Sequence, residues 1–342
     1  MKLDVQVKND CVSFGNDLSI RFQRTLRIPD DGRSYPLPPG LGAFPVRRVD
    51  DYADRVPADW LGRGGVFLPM YQREAMWLSF GSLVPHAVKI AVGKICALTG
   101  DPWSERLHDV PQDYLVAPPQ PWLDGICVGP GRIRQFIAMP LGMGYTVEGQ
   151  VTGEERFGGI QIKVCAPKPG RFPPRRSDLG QCSLGAMPAP CAAPGAGPYR
   201  ASMSPGAKSR SAGSMGLGAG GSMHQKIYPD PHGIDSWDLD ASARIYLNIV
   251  NSELWREITG ERPPQSPVTA KEYRKHALPW FELYDEHCET LDGTNALKRI
   301  ESVKQLDAQK STLPLQDDDS VAPGPLNKLV LLAKHLVRDG QW

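Results

Sequence analysis

Residues 215–224 read MGLGAGGSMH, with glycine at 216, 218, 220 and 221. As a turn that cradles phosphate, Gly218, Gly220 and Gly221 would bring bare backbone up to an anion. As coil, the same residues end a tether between two folded parts. A dinucleotide fingerprint needs a strand before its glycines and a helix after them. Upstream of Met215 lies Ser/Ala/Gly-rich sequence, and downstream HQKIYPDPHG meets two prolines at once. No Gly-Lys-Ser/Thr follows, which excludes a P-loop. An anion nest of successive N–H groups stays open as an alternative, since no Asp or Glu falls between Asp178 and Asp230 to repel a phosphate. The tether is the simpler reading.

The surroundings favour that tether. Of the 42 residues from 181 to 222, 30 are Gly, Ala, Ser or Pro, too little apolar surface to offset the entropy of ordering. The tract 171–229 is therefore expected to be a flexible linker. Its basic residues, Lys168 to Arg210, lack the aromatic partners of a base-stacking arm.

Ahead of the tract, short alternating runs predict β structure. Leu3, Val5 and Val7 share one face, and Val12–Phe14 and Leu18–Phe22 flank the turn Gly15-Asn16-Asp17. IPDDGRSYPLPPGLGAFP, rich in proline, can only wrap as coil. MYQREAMWLSF (70–80) has helix formers and predicts a helix, whereas 87–100 predicts a strand bent at Gly93. YLVAP, IRQFIAM, YTVEGQVTG and GIQIKVC, divided by Gly/Pro turns, predict further strands. Residues 1–170 thus read as a proline-rich, mostly antiparallel β domain, sandwich or barrel-like.

Beyond the tract, the pattern predicts helices over 238–258, 270–277, 278–288 and 295–310, a helical region spanning 230–310. Residues 311–342 read as a linker and an amphipathic helix over 325–338, able to dock on a partner or back on its own chain. The fold class expected is α+β, with the helices packed on a sheet face.

The chemistry is dispersed. His224 and His232, with Tyr228 and Asp230 between them, form a candidate metal pair, but no His-x-His or His-x3-His spacing gathers them. Asp124 and Glu148, beside predicted strands, form a candidate acid–base pair for glycoside hydrolysis. The bland alternatives are a turn residue before Gly125 and an outward strand residue. No G-x-S-x-G elbow occurs, and neither Cys96 nor His86 carries a local signature of thiol catalysis. Trp103, Trp122 and Trp280 each follow a proline and could line a flat ligand platform; the alternative is that they plug coil onto the core.

The totals bound the rest. With 342 residues, 41% hydrophobic, 23% charged and a net charge of +1, the chain resembles an ordinary globular protein and not a whole-surface polyanion binder. Seven dispersed cysteines without C-x-x-C suggest free thiols in a cytoplasmic setting, and no apolar run predicts a membrane span or signal peptide. No motif specifies a cofactor. The leading expectation is a non-enzymatic protein that binds a protein partner or assembles with itself. A hydrolase using Asp124 and Glu148, or a phosphate or nucleotide binder using 215–224, are the rivals.

Overall fold

The longest strand of the molecule, Trp237–Asn251, occupies sequence whose spacing predicts a helix. The computed structural model of the chain describes residues 2–172, 213–265, 280–284, 289–310 and 326–330. Strands in chain order are β1 Val5–Lys8, β2 Cys11–Phe14, β3 Leu18–Thr25, β4 Ser34–Tyr35, β5 Gly40–Ala43, β6 Arg47–Arg48, β7 Val66–Met70, β8 Ala75–Ser82 and β9 His86–Val92. They continue with β10 Ile95–Cys96, β11 Leu115–Ala117, β12 Trp122–Leu123, β13 Gly125–Gly129, β14 Arg132–Pro140, β15 Ile160–Pro167, β16 Ser214–His224 and β17 Trp237–Asn251. These 17 strands form one sheet.

An antiparallel path runs β1-β2-β3-β8-β14-β16-β17-β15-β9-β11. Short strands branch from it; β4 joins β16 and β7 joins β17 in parallel. The ladders do not close into a ring among the described residues, so the molecule is a mostly antiparallel β structure with few helices. The helices are short: α1 Ala58–Arg63, α2 Val147–Thr152, α3 Ser252–Thr259, α4 Asn295–Lys298 and α5 Val303–Gln309. None of the described helices is long and apolar enough to cross a membrane.

Three departures from the sequence reading share one cause. Most of residues 70–80, expected as helix, fall in β8, whose first four residues are all buried between β3, β12 and β14. In β17, residues 245–250 are buried on both faces, and only 252–259 of the expected helix is helical, capped by Asn251 and stopped at Gly260. Met215–Gly221, expected as tether, lie buried in β16. A strand covered on both faces loses its period of two, so its pattern no longer separates it from a buried helix.

Two further segments expected as helix contain strands: β18 Trp280–Tyr284 and β19 Leu326–Val330 pair in parallel. The 295–310 helix is two pieces, α4 and α5. The expected helix at 270–277 and tract residues 173–212 lie outside the described residues. One apolar core runs from Val12 to Ile300 and draws on β2, β3, β7–β9, β13–β17 and α4.

Candidate functional site

The glycines of β16 determine what can approach the sheet. Gly220 and Gly221 stand opposite the single residue Gln135, because Arg134 pairs with Ser222 while Phe136 pairs with Ala219. This is a bulge. Gln135 then turns its amide to the coil before β4, accepting from Ile28 N at 2.8 Å and donating to the Leu26 carbonyl at 2.9 Å. A Cβ on Gly221 would run into the Pro29 carbonyl oxygen. On Gly218 it would lie 2.7 Å from the Tyr145 carbonyl, which sits just before α2. Gly218 and Gly221 therefore admit neighbouring backbone, and Gly220 the Ile137 side chain, rather than an anion.

The coil held by the bulge delivers Asp30 to the side of β14. Arg132 and Arg134, two residues apart on one strand, face the same way and pair in register with His224 and Ser222. Asp30 Oδ1 lies 3.6 Å from Arg134 Nη1, and the same guanidinium donates to the Gly220 carbonyl at 3.3 Å. Ser222 Oγ sits 3.2 Å from Ser34 Oγ. The opposite wall comes from residues 289–310. Thr290 Oγ1 accepts from Gly131 N at 3.3 Å, Leu291 N donates to Ile227 O at 2.8 Å, and Leu297 of α4 is fully buried. Ser302, the N-cap of α5, closes a capping box with Gln305 and donates its hydroxyl to Asp30.

These pieces enclose a cleft of about 160 Å³ lined by Asp30, Gly32, Val128, Arg132, Arg134, Ser222 and Lys298. Three cations face one carboxylate. Arg132 and Lys298 are exposed, and among the described residues neither guanidinium nor ammonium has a hydrogen bond or ion pair.

A second row of cations crosses the sheet elsewhere. Lys163 on β15 pairs in register with Lys89 on β9 and with Arg244 on β17. A strap at 101–113 answers all three. Lys89 Nζ donates to Ser104 Oγ (2.9 Å), the Arg106 carbonyl (2.6 Å) and Asp113 Oδ2 (2.6 Å), and lies 5.4 Å from the centre of the Trp103 ring. Lys163 Nζ donates to the Glu105 carbonyl at 2.5 Å, and Arg244 reaches Glu105 Oε1 at 2.5 Å. Partial burial raises the Glu105 carboxyl, but the Trp103 indole and Arg244 outweigh it and hold it below its ordinary value. Asp113 also takes the ring and backbone nitrogens of His108, at 2.6 and 2.9 Å.

The residues singled out from sequence do not converge on either cluster as expected. Asp124 is 1% exposed; its Oδ2 accepts from Trp122 Nε1 at 3.2 Å, and its Oδ1 has no hydrogen-bond partner. Burial pushes its carboxyl well above the ordinary range. Glu148, expected on a strand, lies in α2, which Thr146 caps. Burial raises its carboxyl, opposed by the backbone N–H groups of Phe157 and Gly158 at 2.8–3.2 Å. No contact links the two carboxyls among the described residues. Trp122 and Trp280 are buried with Trp77, Tyr35 and Phe281, while Trp103 covers Lys89.

His224 is exposed at the end of β16, whereas His232 meets Phe172 and Trp237 edge-on. Asp230, between them in sequence, accepts from Tyr114 Oη and Trp237 Nε1. No three His, Cys, Asp or Glu side chains gather around a metal position among the described residues. Cys11, Cys96, Cys127 and Cys165 are buried free thiols, and burial raises Cys127 and Cys165 to about 11. Cys96 turns to the Asp113 carbonyl and His86 to the Val84 carbonyl.

Sequence reasoning passed over Asp30, Arg132, Arg134, Ser222 and Lys298. One signal was available: Arg-Ile-Arg at 132–134 in a predicted strand places both guanidiniums on one face. Nothing local announces Asp30 or Lys298, which arrive from coil and α4. No family model, curated protein or solved structure matches the chain.

Proposed function

We propose that the chain is a non-enzymatic binding protein whose protein partner, or a second copy of itself, presents an anionic group to the cleft of Arg132, Arg134, Lys298, Ser222 and Asp30. One observation carries this reading: three cations converge there on a single lining carboxylate, and among the described residues two of the three have no hydrogen bond or ion pair. A folded protein gains little from holding like charges together unless something neutralises them. The hydrolase alternative has less support. Glu148 is clamped by backbone donors, and Asp124 is sealed from solvent, whereas an acid–base pair must reach a substrate.

The test is thermal melting of the whole chain in phosphate, sulfate or citrate, each at millimolar concentration and matched in ionic strength with chloride. Binding to the folded state raises the midpoint in step with RT ln(1 + [L]/Kd). A midpoint that no anion moves beyond the chloride control would sink the reading.

A further inference from the structure

We infer that the cleft is built for a phosphoryl dianion, a PO3 group with three free oxygens, either free or carried as a monoester. This rests on the cleft being the binding site and goes further by naming the ligand's chemistry.

Size comes first. The cleft is small, about 160 Å³. Pockets for whole drug-sized ligands measure roughly 300–1,000 Å³. The space therefore admits a headgroup and leaves the rest of its carrier outside, past exposed Gly32 and Lys298.

Charge comes second. Among the residues lining the cleft, Arg132, Arg134 and Lys298 outnumber Asp30 by two positive charges. A phosphate monoester carries about −1.5 to −2 at pH 7, which matches them. A single carboxylate or a phosphodiester, each with one charge, would leave the site unbalanced.

Donor placement comes third. The two arginine forks come from one strand, Lys298 stands on the facing wall, and the Ser222 hydroxyl belongs to the strand beside β14. Donors converging from separate walls suit three oxygens of a tetrahedral group better than the two coplanar oxygens of a carboxylate. Arg134 is held for this role by Asp30 and the Gly220 carbonyl. Asp30 is thus a positioning residue, itself tied to the cap of α5. The bulged glycines, considered from sequence as a phosphate cradle, serve the same end indirectly by admitting the coil that carries Asp30.

The experiment is calorimetric titration of the whole chain with phenyl phosphate, inorganic phosphate, dimethyl phosphate and citrate, repeated with Arg132→Met and Lys298→Met. Both positions are exposed and, among the described residues, make no hydrogen bond or ion pair, so the variants should melt with the wild type; phosphorus NMR of phenyl phosphate gives a second readout. Phenyl phosphate should bind at least tenfold more tightly than dimethyl phosphate, and each substitution should weaken it about tenfold. Inorganic phosphate binding more tightly than the monoester identifies the free ion as the source; the reverse order identifies an ester. Dimethyl phosphate within threefold of phenyl phosphate, or variants that bind phenyl phosphate as the wild type does, would overturn the inference. If citrate alone binds and depends on Arg132 and Lys298, the phosphoryl assignment fails while the cleft remains the binding site.

Discussion

Two groups of three cations, one carried wholly by the sheet and one completed by Lys298 of α4, differ in what answers them. Lys89, Lys163 and Arg244 stand side by side across β9, β15 and β17, an arrangement that like-charge repulsion opposes. Each is matched within the chain: Lys89 by Asp113 and a carbonyl, Lys163 and Arg244 by Glu105. Among the residues lining their cleft, Arg132, Arg134 and Lys298 have one carboxylate, Asp30, and it pairs with Arg134. The first group is closed chemistry, in which the strap is the counter-ion and the result is a fixed surface. The second is open chemistry that awaits a counter-ion from outside. Basic residues mark a binding site by the shortfall of their partners, not by their number.

The comparison breaks most readily at Asp113. Lys89 is 1% exposed, and Asp113 is its carboxylate. Asp113→Ala leaves a buried ammonium uncompensated and should cost about 3–5 kcal/mol in urea unfolding. Lys89→Met with Asp113→Leu should recover most of that loss, because the costly state is the unpaired charge. A loss below about 1 kcal/mol for Asp113→Ala would mean that the strap does not neutralise the row, and the contrast between the groups would vanish.

Next in size is the bulge that builds the open cleft. Gly221→Val drives a side chain into the Pro29 carbonyl and Ile28, and overpacking of this kind costs about 1–3 kcal/mol. The substitution should also unseat Asp30, so that Arg134 loses its anchor and anion binding changes along with stability. A variant that melts lower yet binds anions unchanged would detach the glycines from the site.

How much of this was legible in the sequence follows from burial. The hairpin around Gly15–Asp17 and the bend at Gly93 are visible because β1–β3 and the β9–β10 turn keep alternation or turn chemistry. β8, β16 and β17 are misread because both their faces are covered. In β16 the low side-chain content that mimics a tether is what lets coil and α2 pack against the strand. The carboxylates chosen from sequence, Asp124 and Glu148, turn inward; the cleft needs Asp30 from a proline-rich wrap and Lys298 from a one-turn helix, and only tertiary contact brings them together. Composition also hides the electrostatics: a net charge of +1 is compatible with two local clusters that differ in their balance.

Asp124 extends the comparison to a buried carboxyl with no cation beside it among the described residues. Its folded state keeps the proton to higher pH than the unfolded chain, in which the group ionises near 4. The folded state therefore binds more protons above pH 4, and the stability this residue contributes falls as pH rises toward its folded value. Asp124→Asn removes that dependence. The stability of the variant relative to wild type should climb with pH, by at most about 1.4 kcal/mol per unit, in urea melts at pH 4.5, 6.0 and 7.5. A difference that stays flat across the three would show that Asp124 ionises freely in the folded chain.

The smallest effects draw the sharpest line between the two groups. Glu105 is about half exposed, and its ion pairs with Lys163 and Arg244 meet solvent, so Glu105→Gln should cost about 0.2–1 kcal/mol and less in high salt. Arg132→Met should shift stability by no more than about 0.5 kcal/mol, since no partner is lost. The signs under anion differ as well. Added phosphate should stabilise Glu105→Gln as much as wild type, because its cleft is intact, but should stabilise Arg132→Met less. If Arg132→Met instead costs more than Glu105→Gln in the absence of any anion, Arg132 is bonded within the fold. The cleft would then be a second closed group, and the shortfall that marks it as a site would not exist.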